Sequence, residues 1–255
     1  MHRLQLKNRR IKRKKRKGCS EWFVSLVVFF FIVIGVEFYE FMDRGFPLQG
    51  FGIKCSRVNP EDIQRMAELN PQANLFKTRL REIVSRLTED SRIKSVHILK
   101  NLPEGKVEIE INERTPFIKV LRSGTDKCLE VDADGIIIGE ADNISSNVPL
   151  ITGLSLTYSA SGPKVNDAKN LKRAIEVLKM SVSLNIPMEE ISEVSLKDPN
   201  DIIFFTTSGI EFHLGNEDLY KRLKRASIIL AEIMKKGIPV KYVDLRFGED
   251  AITKM

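Results

Sequence analysis

The sequence predicts an α+β chain: one N-terminal transmembrane helix, a small β-α-α-β-β module, then a larger mixed α/β part ending in a C-terminal strand. Three observations carry this prediction. A strongly apolar, uncharged run, Trp22–Val36, follows a basic tail. About 65 residues beyond it hold two helical patterns among three strand patterns. From about Pro116 to Met255, many short strand patterns accompany two longer amphipathic helices.

Composition bounds the rest. With 255 residues, 42% hydrophobic and 29% charged, the chain can bury more than one core and is not disordered overall. Three Cys exclude a disulfide-dense scaffold. The net charge of +7 is a property of the tail: ten of the 41 Lys/Arg lie in residues 1–17, leaving 31 against 34 Asp/Glu. The remainder therefore carries no basic excess of the kind that nucleic-acid binding needs.

Residues 1–20 form the basic tail. Trp22–Val36 would span roughly 22 Å as a helix, short of a hydrocarbon core of roughly 30 Å, and its flanks complete a span over 21–42. Trp22 and Tyr39 sit where interfacial aromatics lie. A cleavable signal would need an A-x-A-like site, whereas Phe38-Tyr-Glu-Phe41 follows. A buried soluble helix would carry a polar face, and only Ser25 offers one. The cationic tail then stays in the cytoplasm and residues from about 43 onward lie across the membrane.

Residues 43–50 read as a linker and Phe51–Val58 as a strand. Asn59-Pro60-Glu61-Asp62 starts a helix: Asn caps, Pro suits the first turn, and the acids meet the positive dipole end. Asn70-Pro71 ends it. Thr78 can cap a second helix, whose Leu80, Ile83, Val84 and Leu87 form one stripe. Ile93–Leu99 is a strand, Asn101–Gly105 a turn, and Lys106–Asn112 alternates Val107, Ile109 and Ile111 with polar residues.

In the second part, Phe117–Leu121 and Lys127–Val131 read as strands. Asp132–Gly135 turns into Ile136–Ile138. Asp167 opens a helix that buries Leu171, Ala174, Ile175 and Leu178. Ile191–Leu196, Ile202–Thr207 and Ile210–Leu214 are three further strands. Asn216-Glu-Asp218 starts a long helix with the stripe Leu219, Leu223, Ala226, Leu230 and Ile233, stopped by Gly237 and Pro239. A final strand runs from Val240 to about Thr253. In it Val243, Leu245 and Phe247 share one face, and Tyr242, Asp244 and Arg246 the other.

The search for chemistry returns little. His2, His97 and His213 lie far from one another and from Cys, so no local metal-ligand spacing exists. No nucleophile elbow or phosphate loop is present. Glu130-Val-Asp132-Ala-Asp134-Gly135 resembles the start of a calcium loop, but position 12 would be Ala141; a hairpin turn is the simpler reading. Asn143-Ile-Ser145 fits a glycosylation acceptor only in a secretory eukaryotic context. Cys55 and Cys128 fall in separate parts of the chain. The expectation is a non-enzyme without cofactor or metal.

Several stretches carry a resemblance. Asn74-Leu-Phe76, Ile93–Val96, Leu102-Pro103 and Val107–Arg114 followed by Pro116 look like a POTRA (polypeptide-transport-associated) domain. Val131–Gly135, Val148–Gly153 and Tyr242–Phe247 look like signatures of a following β domain. In this order the chain resembles the FtsQ/DivIB family of bacterial cell-division proteins. The resemblance implies a POTRA domain over 46–116 and a β domain over 117–255. It also implies a bitopic scaffold in the cytoplasmic membrane that recruits division proteins and controls septal peptidoglycan synthesis.

The implied partners are an FtsB/DivIC-type and an FtsL-type bitopic protein, with other division proteins at the POTRA-like part. The family's last strand is an edge that accepts a partner strand. Here that edge maps to residues 247–255, with Arg246, Phe247, Glu249, Ala251 and Met255 as contacts; Met255 stands where some members carry an aromatic. Phe247 as an anchor competes with Phe247 as the last core residue of its strand. Arg246 pairing an acid competes with a solvated face charge. The alternative function is a POTRA-bearing envelope factor handling unfolded chains, although such proteins carry several modules or a barrel.

Overall fold

The structure is a computed structural model that describes residues 19–44, 48–68, 79–101, 103–122, 127–141, 148–159, 162–247 and 252–254. Thr78, Asn74–Phe76, Leu102, Asn143–Ser145 and the basic tail to residue 18 lie outside these residues. The described part forms two compact units. One holds the N-terminal helix together with residues up to Gly52 and Ile98–Glu108; the other holds Ile53–Glu68, Arg81–His97 and everything from Ile109.

Helix α1, Cys19–Arg44, contains the apolar run expected from the sequence. Its Trp22–Phe41 segment has a mean hydropathy of 2.3 and none of it is buried against protein. At about 1.5 Å per residue, twenty residues match a hydrocarbon core of roughly 30 Å.

The β-α-α-β-β order holds. Strands β1 (Gly50–Lys54), β2 (Ile93–Asn101) and β3 (Lys106–Glu113) form a sheet in the order β1-β3-β2. Strand β1 stops four residues earlier than the pattern of Phe51–Val58 predicts. The Glu113 carboxylate explains this: it accepts the backbone N–H groups of Ser56, Arg57 and Val58 at 2.6–3.2 Å, curling that segment out of the ladder. Helix α2 (Pro60–Ala67) is capped by Asn59, whose side chain accepts from Glu61 N at 3.0 Å. It ends at Ala67, ahead of the Asn-Pro pair, with Glu68 in the left-handed region. Helix α3 is Leu80–Thr88. Ile63, Ala67, Ile83, Leu87, Ile93, Ile109 and Ile111 are buried, so the helical stripes and the strand alternation face inward as read.

The second part is built on a nine-stranded sheet in the order β14-β13-β12-β11-β10-β7-β4-β5-β6. Its strands are β4 (Ile118–Leu121), β5 (Cys128–Val131), β6 (Ile137–Ala141), β7 (Leu150–Thr152), β10 (Ile191–Asp198), β11 (Asp201–Thr206), β12 (Glu211–His213), β13 (Tyr242–Asp244) and β14 (Ile252–Lys254). Strands β8 (Leu156–Ser159) and β9 (Gly162–Val165) form a separate hairpin. Pairing is antiparallel except where β7 joins β4 and β10 and where β12 joins β13. The interior strand β7 runs close against β10: Gly153, at φ +84°, sits where a Cβ would overlap the backbone of Leu196 and Lys197.

Helices α4 (Ala168–Ser183) and α5 (Leu219–Lys236) bury the expected stripes into one cluster with alternate residues of the strands. Phe204 and Phe212, cross-strand partners on β11 and β12, stack at 4.6 Å. The Asp132 turn is the hairpin of the simpler reading: Asp132 Oδ1 accepts from the N–H of Asp134 and Ile136, and Oδ2 accepts from Arg114 Nη1 at 2.5 Å.

The last segment corrects the expectation of one long strand over Val240–Thr253. Strand β13 is only three residues long, and β14 returns antiparallel to it, pairing Asp244 with Ile252 and Tyr242 with Lys254. The ladder stops at Asp244 because the backbone of the next even residue leaves it: Arg246 N donates to Asp244 Oδ1 at 3.0 Å.

Candidate functional site

The sheet has two lateral margins, and β14 forms one of them. Its three residues are all exposed. The direction of its backbone groups follows from those of β13. Glu211 N donates to Lys241 O and Leu245 N donates to His213 O, so Val243 and Leu245 bond toward β12, while Lys241 divides: its carbonyl faces β12 and its N–H donates to Lys254 O on β14. By the two-residue period, Tyr242 and Asp244 bond toward β14, opposite Lys254 and Ile252. Thr253 is then the residue whose N–H and C=O point away from β13, to the side where no described strand pairs.

Beside this margin lies a compact polar network. Val243 and Leu245 are fully buried, which turns Tyr242, Asp244 and Arg246 to the opposite side, as the alternation predicts. Tyr242 Oη donates to Asp244 Oδ2 at 2.9 Å. Arg246 donates from Nε to Asp244 Oδ1 at 2.9 Å and from Nη2 to Oδ2 at 2.5 Å. A third bond runs from Nη1 to Asp201 Oδ2 at 3.0 Å.

Asp201, the first residue of β11, also accepts from Gly215 N at 2.7 Å. His213 stands between Asp201 and Glu211, Nδ1 at 2.5 Å from one carboxylate and Nε2 at 2.8 Å from the other. The Tyr242 ring packs on His213 with centroids 4.6 Å apart. From α5, Arg222 donates to the carbonyls of Leu214 and Arg246 at 2.6 and 3.4 Å.

Asp201 and Asp244 are each only 3% exposed. Burying a carboxylate is costly unless charge and hydrogen bonds compensate it, and each here has several donors. The hydrogen bonds from Arg246 hold the Asp244 carboxyl well below the usual carboxylate range, and the same contact raises the Arg246 guanidinium. Burial, then the bond to Asp244, pushes the Tyr242 phenol up.

The expected contact residues divide as follows. Arg246 is neither buried nor a loose surface charge: its side chain keeps 36% exposure while three of its N–H groups are committed to aspartates. Phe247 is not core, contrary to the reading that placed it on one face with Val243 and Leu245. It is 57% exposed, because the strand has already ended, and the Arg246 guanidinium carbon lies 5.8 Å from its ring centroid. Glu249, Ala251 and Met255 lie outside the described residues. Asp201, Glu211, His213, Gly215 and Arg222 complete the network without having been singled out as contacts. His213 shows no metal-ligand spacing in the sequence, and no local pattern marks Asp201.

Other chemistry is sparse. Among the described residues, no group of three or more His, Cys, Asp or Glu is placed to hold a metal ion. Cys55 and Cys128 are free thiols, and burial pushes the Cys128 thiol up.

Comparison with known proteins adds two family matches. Residues 54–114 match the family model described as POTRA domain, FtsQ-type, and residues 120–246 match that described as Cell division protein FtsQ/DivIB, C-terminal. Similar curated proteins carry the name Cell division protein FtsQ. That of Geobacter sp. (strain M21) is 27% identical over 230 residues, covering 86% of this chain and 81% of that protein. That of Geotalea daltonii is 25% identical, covering 76% and 70%. That of Corynebacterium glutamicum is 23% identical, covering 64% and 68%.

Proposed function

Because this chain belongs to the FtsQ/DivIB family of cell-division proteins, we propose that it is a bitopic, non-catalytic scaffold of the bacterial division complex. It captures a partner by β-strand addition at β14. The observation that supports this reading is the open margin: β14 is paired on one side by β13, and the backbone groups of Thr253 face the other. An incoming strand gains main-chain hydrogen bonds there, and alternate side chains supply selectivity.

The partner is an FtsB/DivIC-type bitopic protein, acting with an FtsL-type one. Arg246 pairs an acidic side chain of the partner, since the described residues leave one N–H on each of its terminal nitrogens unused. Phe247 offers an exposed aromatic anchor next to it. Glu249, Ala251 and Met255 extend the contact along the same segment. Helix α1 anchors the chain in the cytoplasmic membrane with the basic tail inside. The POTRA domain over 46–116 and the β domain over 117–255 then lie outside, and the POTRA domain engages further division proteins.

A tagged full-length copy, with the native copy depleted, tests the scaffold role. The expected result is mid-cell recruitment, with filamentous cells on loss. Uniform envelope labelling with normal septation overturns it.

A further inference from the structure

We infer that Asp201 is a positioning residue for partner capture, one that acts through Arg246; the inference rests on the strand-addition reading and adds the residue that fixes its charged contact. Arg246 and Asp201 are 45 residues apart in sequence and meet only because β13, β12 and β11 are consecutive in the sheet.

The two aspartates that hold Arg246 do different work. Asp244 precedes it by two residues and would travel with the end of β13. Asp201 opens β11, two strands further into the sheet, and ties the guanidinium to that frame. Its Oδ2 faces both Arg246 Nη1 and His213 Nδ1, while Oδ1 takes the Gly215 N–H. Glu211, on β12, and the Tyr242 ring, on β13, hold His213 from its other sides.

Stability alone does not require a carboxylate here, since buried ionic groups are often matched or surpassed by apolar residues of similar volume. What the carboxylate supplies is a single geometry. A guanidinium has five N–H donors in a fixed plane. With Nε and one Nη2 hydrogen on Asp244, and one Nη1 hydrogen on Asp201, its rotation is stopped. Among the described residues each terminal nitrogen keeps one hydrogen for the partner. Without Asp201 the fork could turn about the Asp244 contact, and the partner would have to fix it on binding.

A double-mutant cycle tests this. The full-length chain in detergent is titrated with the FtsB/DivIC-type protein of the same organism, using wild type, Asp201→Asn, Arg246→Ala and the double variant. Asp201→Asn should weaken capture about tenfold in the wild-type background and less than about twofold when Arg246 is already Ala. Asp201→Glu, which keeps the charge, should recover part of the loss. Equal losses in both backgrounds would mean a merely structural role and overturn the inference. So would a wild-type affinity for Asp201→Asn, with Arg246→Ala still impaired. If Asp201→Asn does not fold, Asp201→Glu replaces it in the same cycle and is judged by the same non-additivity. An Arg246→Ala variant that captures the partner normally overturns the underlying contact instead, an outcome separate from the first two.

Discussion

Arg246 grips Asp244, two residues back along the chain, with Nε 2.9 Å from Oδ1 and Nη2 2.5 Å from Oδ2. The contact makes part of the stability depend on acidity. Asp244 has its folded-state pKa depressed below the ordinary carboxylate value of about 3.9. Its contribution is therefore fully present above that value and is lost as the pH falls through it toward the folded one. Asp244→Asn should cost about 2 kcal/mol near pH 6, and progressively less as the pH drops from about 4 toward 2. Thermal unfolding of the detergent-solubilised chain reads this. A deficit that stays constant across that range would contradict the assignment.

Gly215 makes room for both arginines. It sits at φ +65°, and a Cβ there would collide with the Arg222 guanidinium and lie 3.1 Å from Arg246 Cγ. Gly209 has a similar φ of +81° but open space around it. Both Gly→Ala substitutions should cost about 1 kcal/mol or more of stability through backbone strain. Only Gly215→Ala should also weaken partner capture, by displacing Arg246. Equal capture by the two variants would show that the position of the arginine is not critical.

Leu245 and Phe247 separate core from surface within three residues. Leu245 is fully buried and belongs to the main cluster, so Leu245→Ala should destabilise the chain by about 2–5 kcal/mol. Phe247→Ala should stay within about 0.5 kcal/mol of wild type in an unfolding experiment. The same change should weaken partner capture by about 1–2 kcal/mol, the scale of an exposed aromatic anchor. If Phe247→Ala unfolds the chain as Leu245→Ala does, the residue is structural after all.

How far the sequence discloses this site depends on the range of the interactions. The period of two that sets Tyr242, Asp244 and Arg246 against Val243 and Leu245 is local, and it is readable directly. It misplaces Phe247 because Arg246 N bonds a side chain in place of the ladder, which ends the period one residue earlier. Asp201 and His213 arrive by strand order, which no local pattern encodes. Strand β7 fails to register for another reason: Leu150–Thr152 is three residues between Pro149 and Gly153, too short to show alternation, and its neighbours β4 and β10 are distant in sequence. The helices, with stripes of four or five apolar residues, Asp167 capping the start of α4 and Gly237 closing α5, are the most legible elements.

Thr253 offers the most direct test of strand addition. Its N–H and C=O face away from β13, while Ile252 and Lys254 carry the inward ladder. Proline at this position removes the outward donor and spares the inward ones, and the extended backbone it imposes on the preceding residue suits a strand. Thr253→Pro should therefore leave unfolding of the solubilised chain within about 0.5 kcal/mol of wild type. It should reduce capture of the FtsB/DivIC-type partner at least tenfold, about the value of one main-chain hydrogen bond together with the clash of the ring against the incoming strand. Thr253→Ala, which keeps the donor, separates backbone from side-chain recognition and should cost less than about threefold. Full capture by the proline variant would mean that the partner reads only side chains around Arg246 and Phe247, and that the free margin of β14 is incidental.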